Sequence, residues 1–566
     1  MRKLFTILFL FLSLIVSADK WYIATAANGG SDTDGDGSIA YPWLTLKHAT
    51  DTVTGANFVG DTITIGAGTF TETAQIIWDE NVYIIGVIGY PLTSIIESNY
   101  ADTTLIKAES VDGTDGDQSI SYIRFDGDAL TGSTALEIVG RSNVIVHHCE
   151  FEDFLYAGVI FRGDTEWGPP DIYATGNEFH HNKIINCSGC YFQGTYYVHL
   201  GNLMIGGQGD ILIYNDTIIS EDRGVNLWGF PIKFSGGGYN MGVKIYDSHL
   251  ICPEKNGSDW SFAIELFDSR GGVEIMRNTC QGTIDFSANS SGTTNDAGGF
   301  GYAVKVYDNY VYYPTGTSDY VVGIDFERSS AGGCYIYRNH VYNFGVGFST
   351  NVAATETMED MYVSYNKFED CGRNSSTFAY GFAIGGGSGT FDNINILNNV
   401  VEGRLASSPT DGIRFNCSTA THVKISNNIV TDFLNGYSIS ILGIINGINV
   451  ENNITYNCGS LSDIDTTSAT LTTDVIENNQ FAVNPLFLYT NDFHLQATSP
   501  AIDAGVDVEL TEDYEGNIVP FNGIPDIGAY EYGSYIIIPG SEGTQFGTGT
   551  GNNLMVDKNG RIIIIQ

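Results

Sequence analysis

The stretch that decides the fold runs from residue 142 to residue 453, where one eight-residue phrase returns many times. It reads VKVYDNYV from Val304, CYIYRNHV from Cys334 and INILNNVV from Ile394. The sixth position of each copy carries a turn residue, most often Asn. These positions are Cys149, Asn182, Asp216, Ser248, Asn278, Asn309, Asn339, Asn366, Asn399, Asn428 and Asn453. The first and the last are 453 − 149 = 304 residues apart in ten steps, so the period is about thirty residues.

Each phrase alternates apolar and polar residues before its turn, as a short β-strand with one buried face does. A second strand of the form Gly-apolar-x-apolar follows, as in GVIF at Gly158, GVNL at Gly224, GIDF at Gly323 and GIRF at Gly412. Strands this short form no core alone, whereas stacked copies bury a continuous one. Asn suits the turn because its amide hydrogen-bonds backbone at a bend and because it tolerates positive φ. The sequence therefore predicts an all-β parallel β-helix with an asparagine ladder.

These asparagine-marked coils resemble the right-handed parallel β-helix of the pectate-lyase-like superfamily, over residues 20–480. The resemblance implies the fold and leaves the activity open, because that superfamily holds lyases, hydrolases, epimerases, phage tailspikes and adhesins. Signatures of its familiar enzymes are absent from the sequence. There is no GHG or RIK as in polygalacturonases, no WIDH as in pectate lyases and no DPHE as in alginate epimerases.

The order of segments predicts an exported protein. Residues 1–18 carry Arg2 and Lys3, then an apolar run, then a small-residue end, which is the pattern of a secretory signal peptide too short to span a bilayer. Residues 19–73 are expected to form an N-terminal cap and the first coil, and residues 74–480 the solenoid. No other segment has the length and apolarity of a transmembrane helix. We therefore expect an extracellular or cell-surface location.

Residues 481–533 resemble the C-terminal segment called choice-of-anchor Q, which occurs on exported β-helix proteins. The resemblance rests on NPLF from Asn484, SPAIDAG from Ser499 and PDIGAYEY from Pro525, and it implies surface association. We expect this segment to cap the solenoid. Residues 534–566 hold a Gly/Thr linker and LMVDKNGRIIIIQ, whose Asn-Gly dipeptide predicts a hairpin turn. An apolar hairpin on a tether predicts self-association or surface attachment through the tail, and sealing of a sheet edge is the alternative.

The net charge excludes some partners. The chain has 25 Lys and Arg against 66 Asp and Glu, which gives −41, or −43 once Arg2 and Lys3 leave with the signal peptide. Such a surface repels nucleic acid and anionic membranes. It also repels polyuronates unless cations bridge the two, and a salty habitat would by itself account for the charge. An extracellular polysaccharide remains the expected partner.

An acidic loop near the N-terminus is the only candidate for a cofactor. Asp32, Asp34 and Asp36 in DTDGDG copy the first half of a calcium-binding loop. The twelfth position of that loop is Trp43 rather than Glu, which excludes an EF-hand. A solvated turn is the favoured interpretation, and a Ca²⁺ site is the alternative.

The fourth position of the phrase predicts an outward stripe of tyrosines. It holds Tyr214, Tyr246, Tyr307 and Tyr337 and is interrupted by Met276. An outward tyrosine stripe can stack on sugar rings, so these four tyrosines are candidate substrate-binding residues. Mutual stacking of the rings on a solvated sheet is the other interpretation.

The middle of the second strand predicts a column of polar and acidic side chains on consecutive coils. The column consists of Asn226, Glu265, Asp285 and Asp325. Glu327 and Arg328 follow Asp325 along the chain and are further candidates. Carboxyls stacked about 5 Å apart repel each other, which favours a protonated acid beside an ionised one, or recruits a cation. That pairing suits glycoside hydrolysis by the acids and Arg328, with Asn226 beside the substrate. A solvated acidic face is the other interpretation, and a lyase would need a basic residue that Lys244, Lys305 and Arg414 do not supply as a cluster.

Three functions are compatible with these patterns. The first is an exported β-helix that binds and cleaves an extracellular polysaccharide, through a glycosidase or lyase-like reaction. The second is a non-catalytic surface adhesin or fibre subunit. A phage-type receptor-binding protein is the third, and the signal peptide disfavours it. A groove over the acid column would favour the first function, and a flat face the second.

Overall fold

The computed structural model describes most of the chain from residue 18 onward. The described ranges are 18–55, 58–100, 103–128, 133–164, 170, 172–187, 200–220, 229–234, 239–252, 261–267, 269, 271–287, 303–314, 321–327, 332–352, 357–372, 380–385, 389–403, 411–433, 437–459 and 464–533, with the backbone of 537–538, 553–556 and 562–565. The predicted signal peptide lies outside these ranges except for its last residue, Ala18.

Each coil contributes strands to three faces: the first face ends at the asparagine turn, the second follows it and the third completes the coil. The first face contains Lys20–Ile23, Thr62–Ile65, Tyr83–Ile85, Glu178–His180, Leu212–Tyr214, Lys244–Tyr246, Glu274–Met276, Val304–Tyr307, Gly332–Tyr337, Thr357–Ser364, Thr390–Leu397 and Ala469–Glu477. The second face contains Gly68–Glu72, Ser94–Ser98, Arg124–Asp126, Glu150–Glu152, Lys183–Ile185, Thr217–Ile219, His249–Ile251, Thr279–Gln281, Tyr310–Tyr312, His340–Tyr342, Lys367–Glu369, Val400–Glu402, Ile429–Thr431 and Ile454–Tyr456. The third face contains Ile76–Ile77, Ala157–Arg162, Leu200–Ile205, Gly229–Phe234, Phe262–Phe267, Thr283–Ser287, Val322–Glu327, Val346–Asn351, Tyr380–Gly385 and Ile464–Asp465. Four longer strands run through the third and then the first face: Thr104–Ser121, Thr134–His147, Asp411–Ser426 and Ile439–Glu451.

Strands pair in parallel with the equivalent strands of the neighbouring coils. The second face is one 14-stranded sheet, and the first and third faces join in one 26-stranded sheet. Outside the solenoid, the described part contains a 3₁₀ turn at Ala26–Asn28, an α-helix at Leu46–Thr52 and an antiparallel hairpin of Phe487–Tyr489 with Asp492–Leu495. The chain is a parallel β-helix, as the repeat predicted.

The predicted asparagine ladder is confirmed. Asn339 is fully buried, and its Nδ2 donates to the Val306 carbonyl at 2.8 Å and to Asn366 Oδ1 at 3.0 Å. Its Oδ1 accepts from the backbone N–H of Asn309 at 3.2 Å. The same bonds recur at Asn399, and the ladder continues one coil past the predicted end, to Asn479. The ladder therefore satisfies turn amides inside the solenoid.

The left-handed residue of the turn is the one before the ladder residue. Arg277, Asp308, Arg338 and Asn398 have φ between 53° and 57°. The ladder asparagine thus supplies hydrogen bonds, while its predecessor takes the positive φ that we expected of the asparagine itself.

The core consists of inward columns in which like residues stack. Ile245, Ile275 and Val306 occupy one column without solvent exposure. On the third face, the rings of Phe286 and Phe326 stack with centroids 4.5 Å apart. Because each inward residue meets its equivalent one coil away, the repeat itself produces the core.

The C-terminal segment, residues 481–533, lies along the side of the last coils. Its apolar residues pack on outward side chains of the second face, including Val400, Ile429 and Ile454. Asn427 Nδ2 donates to the Val506 carbonyl at 2.8 Å. The segment thus covers a side of the solenoid, whereas we expected it to cap the end, where Ala469–Glu477 remains largely exposed.

The tail forms a small antiparallel sheet. Strand Ile562–Ile565 pairs with Asn553–Val556, as the predicted hairpin requires, and also with Ile537–Ile538. The turn residues 557–561 lie outside the described ranges.

Candidate functional site

The third face brings three of the predicted acids into one column. Glu265 is in register with Asp285, and Asp285 is in register with Asp325. Their chain neighbours Ile264 and Phe286 point into the core, so the acids point to the outer side of the sheet. The column that the spacing predicted therefore exists on three consecutive third-face strands.

A lysine stands where we expected Asn226. Residues 221–228 lie outside the described ranges, and the third-face strand of that coil is Gly229–Phe234. Lys233 is in register with Glu265, and its ammonium group forms an ion pair with the Glu265 carboxylate. The sequence GFPIKF contains the glycine and the apolar residues that mark a third-face strand. GVNL at Gly224, however, fits the Gly-apolar-x-apolar pattern more closely.

The acid column is buried, which corrects the expectation of a solvated face. Glu265 is 4% exposed and Asp285 is 0% exposed, while Asp325 is half-buried. All five residues of Thr283–Ser287 are buried, so both sides of this strand are removed from solvent. Ionised groups in such surroundings persist only when they are paired or hydrogen-bonded, because desolvation costs several kcal/mol for each ion. The column is therefore a polar cluster on the outer side of the sheet.

Ser287 links two of the acids. Its hydroxyl donates to Asp285 Oδ2 at 2.5 Å and lies 3.5 Å from Glu265 Oε1. The Lys233 ammonium lies 5.1 Å from the centre of the Phe267 ring, which places an apolar wall beside the ion pair. Charge and apolar surface thus meet around Glu265.

The side chains of two further predicted site residues lie outside the described part of the structure. Glu327 ends the strand Val322–Glu327, and its side chain lies outside what the structure describes. Arg328 lies outside the described ranges as well.

The tyrosine stripe exists on the first face, and its rings stack on one another. Tyr214 and Tyr246 have ring centroids 4.9 Å apart, and Tyr307 and Tyr337 have centroids 4.8 Å apart, with planes 2° from parallel in both pairs. Burial raises the pKa of the Tyr337 hydroxyl to about 12, so the hydroxyl keeps its proton at neutral pH. The ring faces within each pair are occupied by the partner ring. The stripe therefore offers ring edges and hydroxyls, and the mutual-stacking interpretation is the one that the geometry favours.

An open polar groove of about 520 Å³ lies beside this stripe, along the asparagine turns. It is lined by Asn215, Asp216, Thr217, Asp247, Ser248, His249, Arg277 and Thr279. Arg277 donates to both oxygens of Asp247, at 2.7 and 2.8 Å. Every residue that lines the groove carries a side-chain hydrogen-bonding group.

The three aspartates of the N-terminal loop make ordinary turn contacts. Asp32 accepts from the backbone N–H of Leu44 at 2.7 Å and from the Thr45 hydroxyl at 2.7 Å, at the start of the α-helix. Asp36 accepts from the backbone N–H of Ser38, and hydrogen bonds from Ser38 lower its pKa. Within the described ranges, no three His, Cys, Asp or Glu side chains form a group suited to a metal ion. Asp32 and Asp36 therefore act as hydrogen-bond acceptors within the loop, and a Ca²⁺ site at this loop stays a prediction.

Comparison with known proteins assigns no family to the chain. No protein family and no curated protein sequence matches the chain. Among solved structures, a complex of XylC with xylose is similar at 10% identity and a TM-score of 0.37, over 90% of this chain and 98% of that one. The tailspike protein of E. coli bacteriophage HK620 is similar at 11% identity and a TM-score of 0.44, over 80% and 79% of the two chains. PfbA, a surface adhesin of Streptococcus pneumoniae, is similar at 12% identity and a TM-score of 0.34, over 82% and 90%. These values assign no activity to this chain.

Proposed function

We propose that this protein binds and cleaves an extracellular polysaccharide on its third face. The observation that carries the proposal is the column of Lys233, Glu265, Asp285 and Asp325 on the outer side of the sheet, in which the first three side chains are buried and Asp325 is half-buried. Burying charged groups on the outer side adds nothing to the core, and such clusters are concentrated at functional sites. Export through residues 1–18 and surface attachment through residues 481–533 are part of the same proposal.

The contacts suggest different roles for neighbouring acids. The ion pair with Lys233 favours an ionised Glu265, which suits a nucleophile or a general base. Asp285 is fully buried beside it, and two carboxyls this close are not both ionised without cost. Asp285 therefore suits the general acid that protonates the leaving oxygen of a glycosidic bond.

The strand spacing relates the choice of acids to the stereochemistry. Adjacent strands lie about 4.8 Å apart, which matches the carboxyl separation of about 5–5.5 Å in retaining glycosidases. Glu265 and Asp325 are two strands apart, about 9.6 Å, which approaches the separation of inverting enzymes. Retention of configuration is expected if Glu265 acts with Asp285, and inversion if it acts with Asp325.

A lyase-like reaction is the other form of cleavage, and Lys233 supports it. A lyase needs a base near a group that neutralises the substrate acid, and Lys233 lies within the acid column. The product separates the two reactions, because a lyase leaves an unsaturated sugar and a hydrolase does not.

The test begins with a polysaccharide binding screen and continues with cleavage assays on the polysaccharides that bind. We expect Glu265→Gln and Asp285→Asn to abolish cleavage while the circular dichroism spectrum stays that of the wild type. Glu359→Gln is the matched control, because Glu359 is an exposed acid on the first face. Cleavage at the wild-type rate by both site variants would refute the catalytic role of the column.

A non-catalytic adhesin is the second candidate, and the polar groove beside the tyrosine stripe, on a different face from the acids, favours it. Binding would then use the polar groove and the edges of Tyr214 and Tyr246. Within the described ranges, no helix has the length and apolarity to cross a membrane. Tight glycan binding without any reducing-end or unsaturated product, together with loss of binding in Arg277→Ala, would select this function.

A further inference from the structure

Two pairs of adjacent histidines end neighbouring first-face strands, away from the acid column. His147 is in register with His180, and His148 and His181 follow them at the turn. The rings stack between the coils, with centroids 5.1 Å apart for His147 and His180 and 4.8 Å apart for His148 and His181. Four imidazoles are thereby gathered in one patch, which we call the histidine cluster.

The two nitrogens that face each other within a pair are close. Nδ1 of His147 lies 2.9 Å from Nδ1 of His148, and the same distance separates Nδ1 of His180 and His181. The second histidine of each pair has a positive φ, 54° and 55°, which folds its ring toward the first. The ring planes are 85° and 83° apart. The strand-and-turn geometry of the coil thus builds the same pair twice.

The distance between the two Nδ1 atoms of a pair matches that between two ligands of one metal ion. Imidazole nitrogens bind a divalent transition-metal ion at about 2.0–2.1 Å, so two of them at a right angle lie about 2.9 Å apart. Right angles between ligands are typical of the tetragonal sites of Cu²⁺ and Ni²⁺, and imidazole is a preferred ligand of both ions. Without an ion, one Nδ1–H of a neutral pair donates to the other Nδ1.

The cluster is reachable from solvent on one side. His181 is exposed, and Glu178 Oε2 lies 3.9 Å from Nε2 of His180. The net charge of −41 also favours the approach of cations.

We propose that the histidine cluster binds a divalent transition-metal ion of the Cu²⁺ or Ni²⁺ type, with the two Nδ1 atoms of a pair as protein ligands. As the described side chains do not form a complete group of three ligands, water fills the remaining positions. The site is independent of the acid column, and it adjoins the tyrosine stripe, since the His180 and Tyr214 rings stack with centroids 4.7 Å apart.

Metal titration of the untagged full-length chain tests the proposal. We expect saturable binding of Ni²⁺ by calorimetry, and nitrogen hyperfine structure in the electron paramagnetic resonance spectrum of substoichiometric Cu²⁺. The double variant His148→Gln/His181→Gln breaks both pairs and should lose both signals, whereas either single variant keeps one intact pair and should keep saturable binding. The control His249→Gln/His422→Gln removes two exposed histidines outside the cluster and should bind as the wild type does. Equal binding by the two double variants, or no saturable binding by the wild type, would overturn the proposal.

Chemical modification supplies the answer if the double variant fails to fold. Diethyl pyrocarbonate modifies accessible imidazoles, and mass spectrometry of the peptides reports each site. Ni²⁺ should protect the peptides that contain His147, His148, His180 and His181, and should leave His249 and His422 reactive. Equal modification of the cluster peptides with and without Ni²⁺ would refute the site in the wild-type chain.

Discussion

At the scale of the residue, two consecutive positions of each asparagine turn meet different requirements. The first takes a positive φ, and the second, the ladder residue, supplies buried hydrogen bonds. The residue in the left-handed conformation varies freely, from His148 through Asp247 and Arg277 to Asn427. The ladder residue that follows is buried. At Asn339 its amide bonds the backbone of the preceding coil, at Val306 and Asn309, and the side chain of Asn366 on the following coil. Side-chain identity is constrained where buried amides need partners, and it is relaxed where the side chain points to solvent. The variable position consequently carries His148 and His181 of the histidine cluster and Asn215, Asp247 and Arg277 of the groove.

Replacement of one ladder residue should destabilise the protein. Asn339→Ala removes the amide that pairs with Val306, Asn366 and Asn309, and buried backbone groups are left without those bonds. We expect a loss of roughly 1–3 kcal/mol in the free energy of unfolding, measured by chemical denaturation. Asn446→Ala is the control, since Asn446 is an exposed strand residue. An unchanged denaturation midpoint for Asn339→Ala would contradict the role of the ladder.

At the scale of the element, the third-face strands begin with glycines that let neighbouring strands approach. A Cβ on Gly412 would lie 2.2 Å from Val430 Cγ1 and 2.7 Å from the Ser438 carbonyl oxygen. Gly323 faces the equivalent contact, 2.3 Å from Val341 Cγ1. These contacts explain the Gly-apolar-x-apolar pattern, because the third face meets the second at this point.

A methyl group at this position should therefore be costly. We expect Gly412→Ala to lower the free energy of unfolding by about 1–3 kcal/mol, the usual range for overpacking a core. Truncation of the second-face neighbour tests the cause, because Val430→Ala removes the nearest clashing atom. In the double variant the two effects should be less than additive, and strict additivity would show that Val430 is not the source of the strain.

The C-terminal segment adds a pH dependence at the same scale. Burial raises the pKa of Glu531 from 4.5 to about 7 and that of Asp526 from 3.8 to about 6. Hydrogen bonding to Glu515 raises the pKa of His494. Each of these groups holds its proton more tightly in the folded state than in the unfolded state. The stability that these three groups contribute is therefore largest below the unfolded pKa of Glu531 and is lost as pH rises toward 7.

Denaturation of the wild type between pH 5 and pH 8 should show this loss, and Glu531→Gln should flatten the slope. Glu509→Gln changes an exposed acid of the same segment and should keep the wild-type slope. A wild-type stability that rises with pH across this window, or a Glu531→Gln slope equal to that of the wild type, would contradict the assignment.

At the scale of the whole molecule, the solenoid ends in an exposed strand. Ala469–Glu477 pairs with Ile439–Glu451 on one side, and Ile476, at a core-facing position of the coil, is 40% exposed. An exposed strand edge favours pairing with another chain. The C-terminal segment lies along the side of the coils, so its described contacts do not cover this strand.

Self-association through the tail stays a prediction. Deletion of residues 541–566 should lower the mass measured by light scattering if the tail joins two molecules. The circular dichroism spectrum of the truncated chain serves as the control for folding. Unchanged mass and unchanged retention on a cell surface would leave the tail a purely intramolecular sheet, as the pairing of Ile562–Ile565 with Ile537–Ile538 permits.

The sequence by itself determined the parallel β-helix, the ladder and the column of Glu265, Asp285 and Asp325. In a solenoid each residue meets its equivalent one period away, so a repeat of about thirty residues already contains the contacts. Only the tertiary structure decided that Lys233 joins this column, because connections of variable length hide which segment becomes the strand. It also decided that the acids are buried and that the tyrosine rings stack on each other, since the alternation of a strand gives the direction of a side chain but not what covers it. The two His-His dipeptides became a cluster for the same reason, as their rings meet only when consecutive coils stack in register.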